Sequence, residues 1–285
     1  MVKQEKISIS EVPETMLQTM YARAKETKKP NAVICDNKAV EIVEKLDYDF
    51  ALADKDFAMG AGVIARTIIL DKLVSQFLIN HKNAVVVNIA CGLDTRCYRN
   101  EGKYARWYNI DLQDTMSVRE RFMEEKGPYI YQIAESATSS SWLHHIEYTD
   151  EPVLVIIEGL TMYLSEEDVK KIFTLISAKF SKVTVFVEIM NPFIVKNIKE
   201  KSIDKSDAKF TFGVKNGKAL ADMLPFFSYL EEHSLAEGMA EFVPVYKILK
   251  KIPFIVNLSN KIIVLGGLTM RLDRFGRRTY YIADA

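Results

Sequence analysis

The chain carries short, continuous apolar runs separated by stretches of helical period. Ala84 to Ile89 (AVVVNI), Pro152 to Ile157 (PVLVII) and Lys182 to Ile189 (KVTVFVEI) have almost no polar interruption, as expected of strands buried on both faces of a parallel sheet. Ahead of them, residues 11 to 80 read as helical. Met16, Met20 and Ala24 recur at a spacing of four, and Val63, Ile64, Thr67, Ile68 and Leu73 build an apolar stripe. Between the strong runs the pattern predicts a short strand Arg106 to Ile110 (RWYNI) that ends at Asp111, a polar helix reaching about Glu125, and a weak strand near Tyr129 to Ile133. After Glu158-Gly159, the string Ser165-Glu166-Glu167-Asp168 reads as a helix start with acids in its first turn.

Alternation of strand and helix with short connections predicts an α/β, doubly wound, mostly parallel sheet, in which ligands bind beyond the carboxyl ends of the strands. Past Asn191 the pattern blurs into a stretch with seven lysines (196, 199, 201, 205, 209, 215, 218) against Glu200, Asp204 and Asp207. We read it as a mobile, solvated lid over the sheet edge. A strand around Phe227 to Glu232, a helical stretch from Val245 to Leu258 and a last strand Lys261 to Leu265 complete the sheet, and the tail from Arg271 reads as an edge strand or a partly ordered end. The expectation is one domain over residues 1–285: a helical cover (1–80), a cofactor-binding half (81–190), a lid and substrate region (191–260), and the last strand with its tail (261–285).

Composition narrows the class. With 48% hydrophobic and 27% charged residues the chain is an ordinary globular one, not a coiled coil, a collagen or a disordered segment. Lys+Arg 38 against Asp+Glu 38 gives no overall attraction for phosphate backbones or anionic lipid, so neither nucleic acid nor membrane is an expected partner. Cys35, Cys91 and Cys97 fit neither a disulfide framework nor zinc-ligand spacing, and no metal site is expected. The first residues lack an apolar signal region, and cytoplasmic placement is the expectation.

The chemistry concentrates in VVVNIACGLDTRCYR, residues 85 to 99, where a buried strand enters a glycine-containing turn. Such a turn presents backbone N–H groups to a nucleotide-like ligand. It has Gly92 but no GxGxxG, so a pyrophosphate cradle is missing and an NAD enzyme is disfavoured. Asp111 follows Gly92 by 19 residues, where an acid grips ribose hydroxyls. Ribose recognition without that cradle suggests a nucleoside cofactor, most commonly S-adenosylmethionine on this fold.

Together, NIACGLDTRCYR, Arg66-Thr67 with Asp71, NIDLQD, SSSWLHHI and IIEGLTMYLSEEDV resemble the successive motifs of the leucine carboxyl methyltransferase family. The spelling is closest to its bacterial branch of polyketide-synthesis O-methyltransferases, and the similarity runs from about Tyr21 to Leu265. The resemblance implies the Rossmann-like fold of class I S-adenosylmethionine-dependent methyltransferases. It implies that Arg66 pairs with the cofactor's carboxylate, Gly92 lies beneath the cofactor, Asp111 holds the ribose, and Glu158 stands near the amino-acid end. Asp94 and Arg96 are expected to brace the turn. Two positions depart from the family pattern: Ala90 replaces a usual glycine and Ser139 a common aspartate that meets the adenine amino group, so both belong to the expected cofactor contacts.

No catalytic base is evident. Tyr163 is the candidate nearest the expected crevice, though an aromatic there is more often a wall, and His144-His145 reads as a capping or packing pair. The expected activity is methyl transfer to a hydroxyl or carboxylate of a small, polyketide-like acceptor. The alternatives are methylation of a protein C-terminal carboxylate and a non-catalytic relative acting as a binding module. Nucleic-acid methylation would require the lysine-rich stretch as a phosphate groove.

Overall fold

The structure, a computed structural model, describes residues 14–123, 125, 128–197, 209–272 and 278–282. Four helices come first: α1 (Glu14–Thr27), α2 (Asn37–Lys45), α3 (Ala51–Lys55) and α4 (Phe57–Asn80). Two of them start on a side-chain cap: Asp36 accepts from Ala39 N–H at the head of α2, and Asp56 from Met59 N–H at the head of α4. The alternating part then runs β1 (Val85–Ile89), α5 (Arg96–Arg99), β2 (Arg106–Asp111), α6 (Gln113–Phe122), β3 (Ile130–Ala134), β4 (Val153–Ile157), α7 (Glu166–Lys179) and β5 (Val183–Ile189). The remainder comprises α8 (Pro192–Asn197), α9 (Gly217–Asp222), β6 (Phe227–Ser234), α10 (Leu235–Met239), α11 (Tyr246–Leu249), α12 (Pro253–Leu258), β7 (Lys261–Leu272) and β8 (Arg278–Ile282).

The strands stand in the order β3-β2-β1-β4-β5-β7-β6. The first five are parallel, whereas β7 runs antiparallel to both β5 and β6. The far half of β7 pairs with β8, which makes the tail an edge strand. Every residue of β1, β4 and β5 is buried, because helices cover both faces. Val85, Val87 and Ile89 face a core with Trp142, Phe173 and Ile176, while Val86 faces the opposite layer with Leu70, Phe77 and Trp107. A third core joins α1 and α2 to Leu93, Val118 and Phe122, and so fastens the helical cover to the cofactor half. The chain leaves β1 in one direction and β4 in the other, which opens a crevice at their carboxyl ends.

Two expectations change in detail. The helical stretch from Val245 to Leu258 is two short helices, because Pro253 stops the first and starts the second. Lys199, Lys201 and Lys205 of the expected lid lie outside the described residues. Among the described residues no helix is long and apolar enough to cross a membrane.

Candidate functional site

At the end of β1 the backbone turns through two left-handed residues, Ala90 (φ 53°) and Gly92 (φ 49°). That conformation costs an L side chain roughly 1–2 kcal/mol, so Ala90 holds the glycine-like turn under strain. The Gly92 N–H donates to Asp111 Oδ2 at 2.8 Å, and Leu112 N–H donates to Oδ1 at 2.8 Å. The two residues separated by 19 positions in sequence are thereby joined directly. Burial pushes the Asp111 carboxyl up, with the Gly92 and Leu112 N–H groups opposing it in part. The Thr115 hydroxyl is a third donor, and the carboxylate keeps lone-pair capacity for one from outside. Met16 of α1 closes the turn from above: a Cβ on Gly92 would lie 3.2 Å from its Sδ. From below, Arg119 Nη1 donates to Gly92 O at 2.8 Å while its other nitrogens grip Glu125 at 2.8 and 2.6 Å. The side chains of Arg119 and Glu125 are both 0% exposed.

Buried ion pairs brace the next residues. Asp94 accepts from Asn88 Nδ2 at 2.9 Å, Arg96 N–H at 3.0 Å and Arg96 Nη1 at 3.0 Å. Arg96 Nε and Arg99 Nη2 both reach Asp71 on α4, at 2.7 and 2.9 Å. Asp36 takes Arg23 Nε at 2.8 Å, Arg99 Nη1 at 3.0 Å and the Thr95 hydroxyl at 2.6 Å. Burial alone would raise the Asp36 and Asp94 carboxyls; the facing arginines outweigh it and hold both below the usual carboxylate range. Asp94 and Arg96 therefore do brace the turn, but with Arg23, Asp36 and Arg99, which sequence reasoning missed. An aspartate before a helix reads as a cap, and Asp36 is one; nothing local shows that its other oxygen meets Thr95, 59 residues later.

Arg66 and Glu158 meet at the carboxyl ends of β4 and β5. Arg66 Nε lies 2.6 Å from Glu158 Oε1, and Nη1 donates to Glu188 Oε2 at 2.8 Å. Glu158 also contacts Arg96 Nη1. Glu188 escaped the sequence reading because it sits inside the apolar run KVTVFVEI. It is 1% exposed and also accepts from Gly159 N–H at 2.9 Å and Asn260 Nδ2 at 3.2 Å. Two arginines face two glutamates here, and Arg96 is shared with Asp71 and Asp94. Burial disfavours the Glu158 carboxylate, yet Arg66 and Arg96 bring its pKa below the usual value.

Ser139 lies on the loop after β3. Its Oγ contacts Ser141 Oγ, which donates to Glu135 Oε2 at 2.6 Å, while Glu135 N–H donates to Asp111 O at 2.9 Å. The charge missing at Ser139 thus stands one serine away, on Glu135. Tyr163, at the end of the short 3₁₀ turn Thr161–Tyr163, is half-buried with its ring 5.4 Å from Phe210, as a wall residue would be. His144 and His145 are both exposed. A cavity of about 140 Å³ opens between α1, α3 and α4, lined among others by Tyr21, Lys25, Phe57, Ile64 and Phe242. It shares no lining residue with the Gly92 turn.

These residues fit S-adenosylmethionine: a left-handed turn bearing no bulky side chain, an acid fastened to it, and a paired arginine and glutamate, Arg66 and Glu158, suited to a zwitterionic amino-acid group. The leucine carboxyl methyltransferase profile matches residues 16–177, a span that contains Arg66, Ala90, Gly92, Asp111, Ser139, Glu158 and Tyr163. The tetracenomycin polyketide synthesis O-methyltransferase TcmP of Streptomyces glaucescens is 31% identical over 250 residues, which cover 85% of this chain and 91% of the relative. The S-adenosyl-L-methionine-dependent methyltransferase dpfgK of Gibberella zeae is 28% identical over 247 residues, 79% of this chain and 83% of that protein. In fold, the chain is similar to the crystal structure of a protein from Thermobifida fusca YX provisionally classed as a methyltransferase: the TM-score is 0.54 at 10% identity, over 86% of this chain and 93% of that one. The chain belongs to the leucine carboxyl methyltransferase family, and it is an S-adenosylmethionine-dependent methyltransferase.

Proposed function

We propose that the protein methylates an oxygen, a hydroxyl or a carboxylate, of a small and largely apolar acceptor. The observation that carries the site assignment is the 2.8 Å hydrogen bond from Gly92 N–H to Asp111, which sets the ribose acid against the cofactor turn. The oxygen acceptor is supported by the name of the Streptomyces relative, an O-methyltransferase of polyketide synthesis. When bound, the cofactor supplies an electrophilic methyl group on a sulfonium centre, whose transfer leaves a neutral thioether.

The chain's own residues position the partners. Asp111 would accept from a ribose hydroxyl with the lone-pair capacity that Gly92, Leu112 and Thr115 leave free. Arg66 takes the amino-acid carboxylate and Glu158 the ammonium, each already aligned by Glu188 and Arg96. Ser139, backed by Glu135 through Ser141, accepts from the adenine amino group. Tyr163 and Phe210 wall the acceptor side. Near-attack alignment by such a site supplies on the order of 7–11 kcal/mol. A carboxylate acceptor is already ionised at pH 7 and needs no base, whereas a phenol of pKa about 10 requires one.

Calorimetric titration with S-adenosylmethionine and S-adenosylhomocysteine tests the site. Saturable binding that Asp111→Ala weakens by about tenfold or more is expected, and equal affinity in the variant would remove the assignment. Labelled-methyl transfer to a panel of aromatic acids, phenols and a peptide ending in a leucine carboxylate tests the acceptor. Transfer to the peptide alone would replace the small-molecule reading.

A further inference from the structure

Two short helices flank the crevice with the same sequence, PFIV, at Pro192–Val195 in α8 and Pro253–Val256 in α12. Both begin with proline and place Ile and Val half-buried while leaving the phenylalanine in solvent, with Phe193 55% and Phe254 71% exposed. The helices stand side by side: Asn191 Nδ2, just before α8, donates to Asn257 O in α12 at 2.6 Å. With α11 they form a face on which Val245, Ile248 and Ile252 are also exposed, Ile248 to 69%. Not one residue of α8, α11 or α12 is buried. Scattered exposed apolar residues are ordinary, but Phe193, Ile248 and Phe254 on the three helices, with Val245 and Ile252 just ahead of α11 and α12, form a patch.

Lysine is the prevailing charge beside it, with Lys196 exposed on α8 and Glu241 the exposed acid just ahead of α11. From Phe242 to Leu272 the chain carries Lys247, Lys250, Lys251, Lys261 and Arg271 and no Asp or Glu. Lys261 is buried against Glu232, and Lys250 lies near Glu237 of α10, which leaves Lys247 and Lys251 exposed among the apolar side chains. The zero net charge of the whole chain conceals this local excess.

We infer that the face formed by α8, α11 and α12 docks on an anionic phospholipid bilayer. Protruding apolar tips set among lysines match the interface between acyl chains and acidic headgroups. A second copy of the chain is a poorer occupant, because a two-fold contact would set these lysines against their own copies. The face is continuous with the crevice: Phe193 follows the site residue Glu188 by five positions, and Phe254 precedes Glu188's partner Asn260 by six. Docking thus opens the acceptor side of the crevice toward the lipid, a source of apolar acceptors.

Flotation with vesicles of phosphatidylcholine alone, or with about one third phosphatidylglycerol, tests this without any methyl acceptor or cofactor. The expected result is binding to the anionic vesicles that weakens as salt is raised. Both Phe193→Ser/Phe254→Ser and Lys247→Glu/Lys251→Glu are expected to lower it about tenfold, with thermal melting and cofactor titration unchanged. No flotation with anionic vesicles, or flotation indifferent to both double variants, overturns the inference. So does light scattering that shows a dimer which the same variants dissociate, since the face would then be an interface between chains.

Discussion

The carboxyl edge of the sheet has two sides built on opposite principles. On the cofactor side, around the ends of β1, β2 and β4, buried and half-buried charged groups are paired across distant elements: Arg23 and Asp36 from the cover, Asp71 from α4, Asp94, Arg96 and Arg99 from the turn. On the proposed acceptor side, after β5 and before β7, three short helices have no buried residue at all. A ligand of constant chemistry permits a prearranged polar site, whose members are costly to change because each neutralises another. The proposed small-molecule acceptor would meet an apolar rim instead, and such a rim repacks at little cost.

The comparison breaks first, and most severely, at Arg119. Replacing it with Met leaves Glu125 as an uncompensated buried carboxylate and also releases the Gly92 carbonyl. A loss of about 3–5 kcal/mol in unfolding free energy is expected from denaturant titration. A loss under about 1 kcal/mol would mean the cofactor side is not held by its ion pairs.

Acid should undo the same side. Asp36 and Asp94 are held below their unfolded values, so their contribution is fully present above about pH 4 and disappears as pH falls through the lowered values. Thermal melts from neutral pH downward are therefore expected to stay level and then drop steeply below about pH 4. Asp36→Asn should flatten that drop, at reduced stability throughout.

Ala90→Gly sharpens the contrast in the other direction. At φ 53° glycine removes the steric penalty, although it adds freedom to the unfolded chain, and a net gain of up to about 1 kcal/mol is expected with cofactor affinity kept or improved. A marked loss of affinity would show that the Ala90 methyl contributes a contact of its own. The smallest effect belongs to the acceptor side. Ile248→Ser, at an exposed position, should change stability by no more than about 0.5 kcal/mol, checked by the same denaturant titration.

The legible parts of the fold were those with a local cause. The runs VVVNI, VLVII and VTVFVEI announce strands because helices on both faces require an apolar residue at every position. Ser165 before three acids announces α7, and its Oγ does accept from Asp168 N–H at 3.1 Å. In the candidate site, the spacing of Gly92 and Asp111 was readable because the fold returns the chain to the neighbouring strand after one crossover. Glu188 was not, since inside an apolar strand nothing distinguishes an acid that meets Arg66, 122 positions earlier, from one at a sheet edge. Likewise the PFIV helices look like core segments in sequence, and their exposure depends on what the neighbouring elements leave uncovered.

The sequence by itself therefore determined the alternating architecture, the turn at Gly92 and its partnership with Asp111, and the family, because these rest on periodicity and on short spacings that survive in one dimension. Only the tertiary structure decided which charges neutralise one another beneath the turn, that Ala90 adopts a glycine's conformation, and that an apolar, lysine-bearing face stands beside the crevice. Pairing and exposure are relations between segments far apart in the chain, and they acquire values only when packing brings those segments together.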